Sequence, residues 1–222
     1  MKKYMIILFT FSIYMSCDKQ DNDDSNIIPY ANGTKSKVDG QVIEYGSNKP
    51  IPGAKVILQE GYISGSLLSG RTVWTAIDTF VADNDGKYQF EFFHKEDDFD
   101  RKELYAYEVY IEKDQYFPSL EKRAHKEMWT KNLNFVLDPF AWIKVHIKNV
   151  NPFDDRDYLF TSSHGGGGDY RGKNIDNIEF HINRGNRKVE LYWNVKKNSI
   201  FKEFSDSLYL PAHDTVPYEI NY

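Results

Sequence analysis

Apolar and polar residues alternate along much of the chain. In the segment KYQFEF, Tyr88, Phe90 and Phe92 alternate with Gln89 and Glu91. A period of two residues places alternate side chains on opposite faces of a β-strand, so this segment predicts a strand with one buried aromatic face. The same pattern predicts further rows of buried residues: Ala54, Val56 and Leu58; Tyr105, Tyr107, Val109 and Ile111; Leu133, Phe135 and Leu137; Ile143, Val145 and Ile147; Ile178, Phe180 and Ile182; and Val189, Leu191, Trp193 and Val195.

Strand patterns recur along the chain, and sustained helical periodicity is absent, which predicts an all-β fold. Antiparallel sheets stacked face to face would bury the apolar rows. Proline cannot donate to a β-ladder, so Asp138-Pro139 is a natural break between two groups of strands. We therefore expect two β-sandwich domains, over residues 37–138 and 139–222. A single larger sandwich is the alternative.

Composition narrows the class of protein. Of the 222 residues, 41% are hydrophobic and 16% aromatic, which is enough to build a folded core. The formal charge is −5. Nucleic-acid binding requires clustered Lys and Arg on one face, and the sequence has no such block, so we expect no nucleic-acid partner.

The first residues have the layout of a secretory signal. Lys2 and Lys3 are followed by an apolar run, Tyr4–Met15, that is too short to span a bilayer, and then by Ser16 and the single cysteine, Cys17. This segment resembles a bacterial lipoprotein signal peptide over residues 1–16. The resemblance implies that Cys17 is lipidated and becomes the mature N-terminus. An ordinary cleaved signal and a buried core segment are the alternatives.

Lipidation would fasten the protein to a membrane through acyl chains, each buried methylene contributing about 0.8 kcal/mol. The following stretch, DKQDNDDSN, is charged and has no apolar residue, so residues 17–36 are expected to form a flexible acidic tether. An acidic stretch at this place also resembles an export signal to the outer face of the outer membrane, although a merely solvated linker explains it equally well. We expect a lipid-anchored protein of the outer membrane in the cell envelope, exposed at the cell surface if that signal operates.

Two pieces of the first predicted sandwich, VDGQVIEYGSNKPIPGAKVILQE and TFVADNDGKYQFEF, form a recognisable combination. The first reads as strand, turn and strand, and Asp85-Gly86 in the second supplies the positive φ angles of a tight hairpin turn. Together they resemble the carboxypeptidase regulatory-like domain, a transthyretin-like β-sandwich, over roughly residues 37–138. The resemblance implies a non-catalytic module that stabilises, spaces or binds. The matching positions are Gly40, Val42, Pro50, Ile51, Gly53, Ala54, Val56, Asp83, Gly86 and Tyr88. Residues 139–222 resemble only a generic Ig-like sandwich.

The string HGGGGDYRG, starting at His164, is the most conspicuous candidate for catalysis. A His-Gly-Gly-Gly run can form an oxyanion hole in esterases, which would make the protein a hydrolase. That mechanism needs a Gly-x-Ser-x-Gly nucleophile, and a phosphate loop needs Gly-Lys-Ser/Thr; the sequence contains neither. The glycines are better explained as a mobile surface loop, and we assign no catalytic residue and no cofactor.

Metal binding has little support. The segment from Asp83 to Gly86 resembles the start of a calcium loop, but His94 stands where the loop requires Glu, and the turn explains the same residues. The acidic run at residues 96–100 is a further candidate for cation binding or a solvated loop. The six histidines show no zinc spacing. His146 and His181 lie on the polar sides of their predicted strands and could approach each other.

Several aromatic residues stand outside clean alternation, and such residues can stack on sugars or anchor protein partners. We name four as candidate ligand contacts, with core packing as the ordinary alternative: Trp74, Tyr116, Phe117 and Trp129. The sequence thus favours a non-catalytic structural or interaction module, with envelope proteins or glycans as partners. A surface carbohydrate-binding accessory is the first alternative.

Overall fold

The computed structural model describes residues 35–64, 71–98, 104–126, 128–150, 154–163 and 166–222. Cys17, the predicted signal peptide and His164 lie outside these residues. Fifteen strands are described: β1 Lys35–Glu44, β2 Lys55–Ser64, β3 Arg71–Val81, β4 Lys87–Phe93, β5 Leu104–Glu112, β6 Lys122–Ala124, β7 Trp129–Thr130, β8 Phe135–Leu137, β9 Phe140–Lys148, β10 Tyr158–Ser163, β11 Gly166–Arg171, β12 Asp176–Arg184, β13 Arg187–Lys197, β14 Ile200–Leu210 and β15 Thr215–Asn221. The predicted all-β fold is confirmed. Nothing in these ranges forms a helix with the length and apolarity needed to cross a bilayer.

The strands form four sheets. Two sheets, ordered β4-β1-β7 and β3-β2-β5-β6, belong to the N-terminal part, and β8 also pairs with β1. Two more, ordered β11-β10-β13-β14 and β12-β9-β15, belong to the C-terminal part. The predicted break at Asp138-Pro139 lies between β8 and β9, where one group of sheets gives way to the other.

Each pair of sheets encloses its own hydrophobic core. The first core contains the predicted rows of β2, β4, β5 and β8, including Tyr88, Phe90 and Phe92. The second contains Ile143, Val145 and Ile147 from β9 together with inward residues of β13. These rows confirm the strand patterns, because one-sided burial of alternate residues is what the sequence predicted. Two independently folding domains remain a prediction, and β1 begins at Lys35, before the predicted boundary at residue 37.

The predicted face of β12 is wrong. Ile178, Phe180 and Ile182 are exposed, at 51%, 63% and 41% of their surface, whereas Asn183 is buried. The register explains the reversal, since Ile178 lies opposite His146, on the outer face of β9. His181 lies opposite Ile143 on the inner face, so His146 and His181 point to opposite sides of the sheet and do not meet.

Two predicted connections also differ from the structure. Gly86 has a φ of +68°, as the turn requires, but β3 and β4 belong to different sheets, so this turn crosses the sandwich and does not make a hairpin. The glycine run was predicted to be a surface loop, but the part of it that the structure describes is a strand. Gly166–Arg171 forms β11, which pairs with β10. Glycine is needed there because Tyr170 lies against the place that a Cβ of Gly168 would occupy.

Candidate functional site

The strongest candidate site is a polar cluster where the two hydrophobic cores meet. It consists of Glu44, Ser47, Tyr116, Asn186 and His213, and we call it the junction cluster. Glu44 is the last residue of β1, and Ser47 and Tyr116 follow strands of the first core. Asn186 lies in the turn between β12 and β13, and His213 in the turn between β14 and β15. The cluster therefore joins turns of the C-terminal sheets to the end of a central N-terminal strand.

The carboxylate of Glu44 is the centre of the junction cluster. Its Oε1 accepts hydrogen bonds from Ser47 Oγ at 2.7 Å and Asn186 Nδ2 at 3.1 Å. Its Oε2 accepts from Tyr116 OH at 2.8 Å and lies 3.3 Å from His213 Nε2. The Glu44 side chain is only 10% exposed. A shielded carboxylate with both oxygens bonded is the arrangement that buried charge requires.

Backbone geometry holds Asn186 and His213 in place. Both residues are in the left-handed region, with φ of 54° and 59°. Asn186 also donates from Nδ2 to Tyr45 O at 2.8 Å and accepts at Oδ1 from Ala212 N at 3.1 Å. One amide side chain thus ties the first core to both turns of the second. Gly46 is needed opposite it, because a Cβ there would lie 2.7 Å from Asn186 Cβ.

The electrostatics of the junction cluster follow from these contacts. Burial raises the pKa of Glu44, but the hydrogen bonds from Ser47, Tyr116, Asn186 and His213 outweigh it, and the net pKa lies below the usual value. Burial, and then the hydrogen bond to Glu44, raise the pKa of Tyr116 well above its usual range. Glu44 is therefore ionised and Tyr116 is a neutral donor at physiological pH.

A second set of contacts supports the same junction. Asp138 pairs with Arg187 and, at 3.2 Å, with Arg184. The Arg187 guanidinium lies 4.3 Å from the ring centroid of Tyr45. Phe117 packs edge-on against Phe140, with centroids 4.7 Å apart. Ion pairs, cation–π contacts and aromatic packing therefore surround the junction cluster.

The junction cluster does not form a catalytic triad. Ser47 and His213 both contact Glu44, so the carboxylate lies between them, whereas a triad needs the imidazole between the hydroxyl and the carboxylate. In the described residues, no group of three or more His, Cys, Asp or Glu side chains is placed to hold a metal ion. Asp83, the start of the candidate calcium loop, accepts backbone N–H bonds from Asp85 and Lys87 and so closes its own turn.

Of the four predicted contact residues, two belong to the junction and two do not. Tyr116 and Phe117 lie there, and their role as ligand contacts stays a prediction. Trp129 is 47% exposed, but Lys37 and Lys131 approach its ring at 4.3 and 4.2 Å, and its Nε1 donates to Asp39. Trp74 lies on the edge strand β3, with its ring against Gly61. The four residues therefore do not form one surface.

Sequence reasoning missed Glu44, Asn186 and His213. Gly185-Asn186 lies between two alternating rows and is a turn signal that could have placed Asn186. Nothing in the sequence pairs Glu44 with residues 142 and 169 positions away.

No protein-family model matches the chain, and no curated protein matches it. The chain is similar to the solved structure of the Bacillus anthracis TIE protein at 10% identity and a TM-score of 0.33, covering 85% of this chain and 34% of that one. It is similar to shaft pilin SpaA from Lactobacillus rhamnosus GG at 7% identity and a TM-score of 0.31, covering 86% and 97%. At these TM-scores the similarities carry no conclusion about function.

Proposed function

We propose that this protein is a non-catalytic structural or protein-interaction module of the cell envelope, held on a membrane by acyl chains at Cys17. The observation that carries the proposal is the junction cluster. A chain that only needed to connect two folded parts could use a flexible linker. Here the connection is shielded, charged and hydrogen-bonded from both sides, which favours a fixed spacing over free movement.

The direction of the strands supports a spacing role. Lys35 and Glu44 are the two ends of β1, and ten residues of extended chain span about 33 Å. Lys35 follows the predicted acidic tether, and Glu44 lies in the junction cluster. The second core is therefore attached at the end of β1 that is farther from the tether along the strand. Such an order attaches the C-terminal sheets at the opposite end of β1 from Lys35.

The proposed N-terminal identity agrees with this role. The resemblance of residues 37–138 to the carboxypeptidase regulatory-like domain implies a stabilising, spacing or binding module. Export to the outer membrane, with exposure at the cell surface, is part of the same proposal and rests on the acidic segment after Cys17.

The rigid junction is tested by measuring one distance across it. Spin labels at Glu91→Cys and Glu190→Cys, in the full chain carrying Cys17→Ala, would report the separation of the two cores by double electron–electron resonance. Both positions are exposed residues on strands of different cores. We expect one narrow distance distribution, and a broad one when Glu44→Ala is added. A broad distribution with Glu44 intact would contradict the proposal.

The membrane anchor needs a separate experiment. Cells expressing the full chain are given an alkyne-tagged palmitate, and the labelled protein is followed in membrane fractions. We expect label and membrane retention for the natural sequence and loss of both for Cys17→Ala. Protease treatment of intact cells then reports whether the protein faces outward.

A second candidate function, carbohydrate binding, rests on Trp74. In the register of the sheet, Trp74, Gly61 and Ala106 lie side by side on the outer face, and the indole ring rests on Gly61. Gln59, Glu108 and Arg123 continue that face with hydrogen-bonding groups. An exposed ring flanked by polar side chains suits a sugar. Titration with soluble polysaccharides should change tryptophan fluorescence, and Trp74→Ala should abolish the change while Trp129→Phe retains it.

A further inference from the structure

A buried cluster of three side chains lies in the C-terminal sandwich, apart from the junction cluster. Asn149 follows β9, Asp157 precedes β10, and Lys197 is the last residue of β13. Asn149 is 3% exposed and Asp157 is 1% exposed. The Lys197 side chain is 18% exposed. An amine, a carboxamide and a carboxylate are thus brought together with little access to water.

We propose that this cluster is a modification site, where Lys197 and Asn149 condense to form an intramolecular amide crosslink with the assistance of Asp157. The proposal depends on how the carboxamide is oriented. Asn149 Oδ1 faces the amine, with Lys197 Nζ at 2.8 Å. Asn149 Nδ2 faces the other way and donates to Asp157 Oδ2 at 3.1 Å and to Gly172 O at 2.9 Å.

This orientation places each group where amide exchange needs it. The nucleophile lies beside the carbonyl, and the carboxylate contacts the nitrogen that must leave. Holding reactants in this way replaces a bimolecular encounter and is worth effective molarities of about 10⁵ M or more in well-aligned cases. The hydrogen bonds of Asn149 Nδ2 with Gly172 and Asp157 hold the carboxamide in this orientation and oppose its rotation by 180°.

Asp157 is arranged to move a proton between the two nitrogens. Its Oδ2 accepts from Asn149 Nδ2 and from Asp154 N at 2.9 Å, and lies 4.0 Å from Lys197 Nζ. Its Oδ1 is buried and has no hydrogen-bond partner among the described residues. A buried carboxylate that contacts the leaving nitrogen and lies near the amine is placed to receive a proton and pass it on.

The reaction balances without a cofactor. Lys197 transfers a proton to Asp157, and the neutral amine attacks Cγ of Asn149, so that an Nζ–Cγ bond forms. Asp157 returns the proton to the leaving nitrogen and the Cγ–Nδ2 bond breaks. The departing ammonia takes up the second proton of Nζ and leaves as ammonium. No atom is oxidised or reduced. The protein loses one ammonia, about 17 Da, and gains one amide bond.

Other lysines in the described part of the chain have different surroundings. Lys126, for example, pairs with Asp97 at 2.7 Å, and both side chains are more than a quarter exposed. A carboxylate partner in contact with solvent forms an ordinary ion pair. Lys197 instead contacts a buried carboxamide, and its Nζ also donates to Val150 O.

A peptide map of the full chain tests the proposal directly. Trypsin cleaves after Lys148, Arg156, Lys196 and Lys202, and a modified Lys197 would resist cleavage. We expect one branched species that joins Asn149–Arg156 to Lys197–Lys202, lighter than the sum of the two peptides by about 17 Da. Recovery of Asn149–Arg156 and Asn198–Lys202 as separate, unmodified peptides would overturn the proposal.

Variants separate the roles of the three residues. Lys197→Arg keeps a positive charge but should give no branched peptide. Asp157→Asn keeps the size of the side chain and should reduce the linked fraction at least tenfold, with β-sheet circular dichroism confirming that the variant is folded. A fully linked Asp157→Asn protein would overturn the assigned role of Asp157. The natural sequence should also melt several degrees above Lys197→Arg, because the crosslink joins residues 48 positions apart and restricts the unfolded chain.

Discussion

Replacing Glu44 by Gln tests whether the charge at the junction stabilises the fold. Gln keeps the shape of the side chain and removes its charge. A hydrogen bond to a charged group contributes about 1 kcal/mol more than a neutral one. The two short bonds, from Ser47 and Tyr116, then predict a loss of about 2 kcal/mol in the free energy of unfolding at neutral pH. The longer contacts of Asn186 and His213 are left out of this figure.

The pH dependence makes the same prediction sharper. The folded pKa of Glu44 lies below its unfolded value, so its contribution is complete above the unfolded pKa, about 4.3, and is lost as the pH falls through the folded pKa. Protonated Glu44 resembles Gln, so the stability difference between the natural sequence and Glu44→Gln should shrink on acidification.

Urea unfolding, followed by circular dichroism from pH 7 down to the lowest pH at which both proteins fold, measures this difference. Glu91→Gln is the matched control. Glu91 pairs with Lys35 at 3.3 Å, but both side chains are more than half exposed, so its loss should be below about 0.5 kcal/mol. A Glu44→Gln effect no larger than that control, or one that stays constant as the pH falls, would refute the reasoning.

Three further predictions concern packing and backbone geometry. Phe90→Ala should lower the free energy of unfolding by about 3–5 kcal/mol, because the ring is 5% exposed and stacks on Phe80 with centroids 4.1 Å apart. Phe93→Ala should lower it far less, because that ring is 43% exposed. Urea unfolding of the two variants measures the difference. Gly46→Ala should lower the free energy of unfolding by about 1–3 kcal/mol, because φ at this position is +81° and the added Cβ would clash with Asn186. A melting temperature equal to that of the natural protein would contradict this. Phe180→Ser should change the free energy of unfolding by under about 0.5 kcal/mol, because the ring is exposed. A loss as large as that of a buried phenylalanine would mean that Phe180 faces the core, as the sequence pattern predicted.

The sequence predicted strands well where burial is one-sided and local. In β4 and β9 the apolar rows are the buried rows, because a period of two residues is set within each strand and needs no knowledge of its partner. The same reasoning failed for β12. Its pattern is equally regular, but the face that is buried depends on pairing with β9, and that register is a property of two distant segments.

The candidate site was less predictable than the fold. Tyr116 was selected because it stands outside alternation, and this irregularity reflects its position in a connection that reaches Glu44. Its role as a ligand contact stays a prediction, and the structure places its hydroxyl on Glu44 in the junction cluster. Glu44 and His213 carried no signal, since each looks like an ordinary polar residue beside a turn. A hydrogen bond between residues far apart in the chain produces no periodic pattern in the sequence.

The junction cluster and the cluster around Lys197 lie near opposite ends of the same strand, β13. β13 begins at Arg187, beside the junction cluster, and ends at Lys197, about 33 Å farther along extended chain. A force applied at Lys35 would pass along β1 to Glu44 and then into the turns that hold Asn186 and His213. Those hydrogen bonds would bear the load together, because all of them converge on one carboxylate. Beyond them, strand pairing and the packing of its inward side chains in the second core keep β13 in register, and a covalent bond at Lys197 would further prevent the strand from sliding. The spacing role proposed above would draw on both features, because each resists extension of the chain.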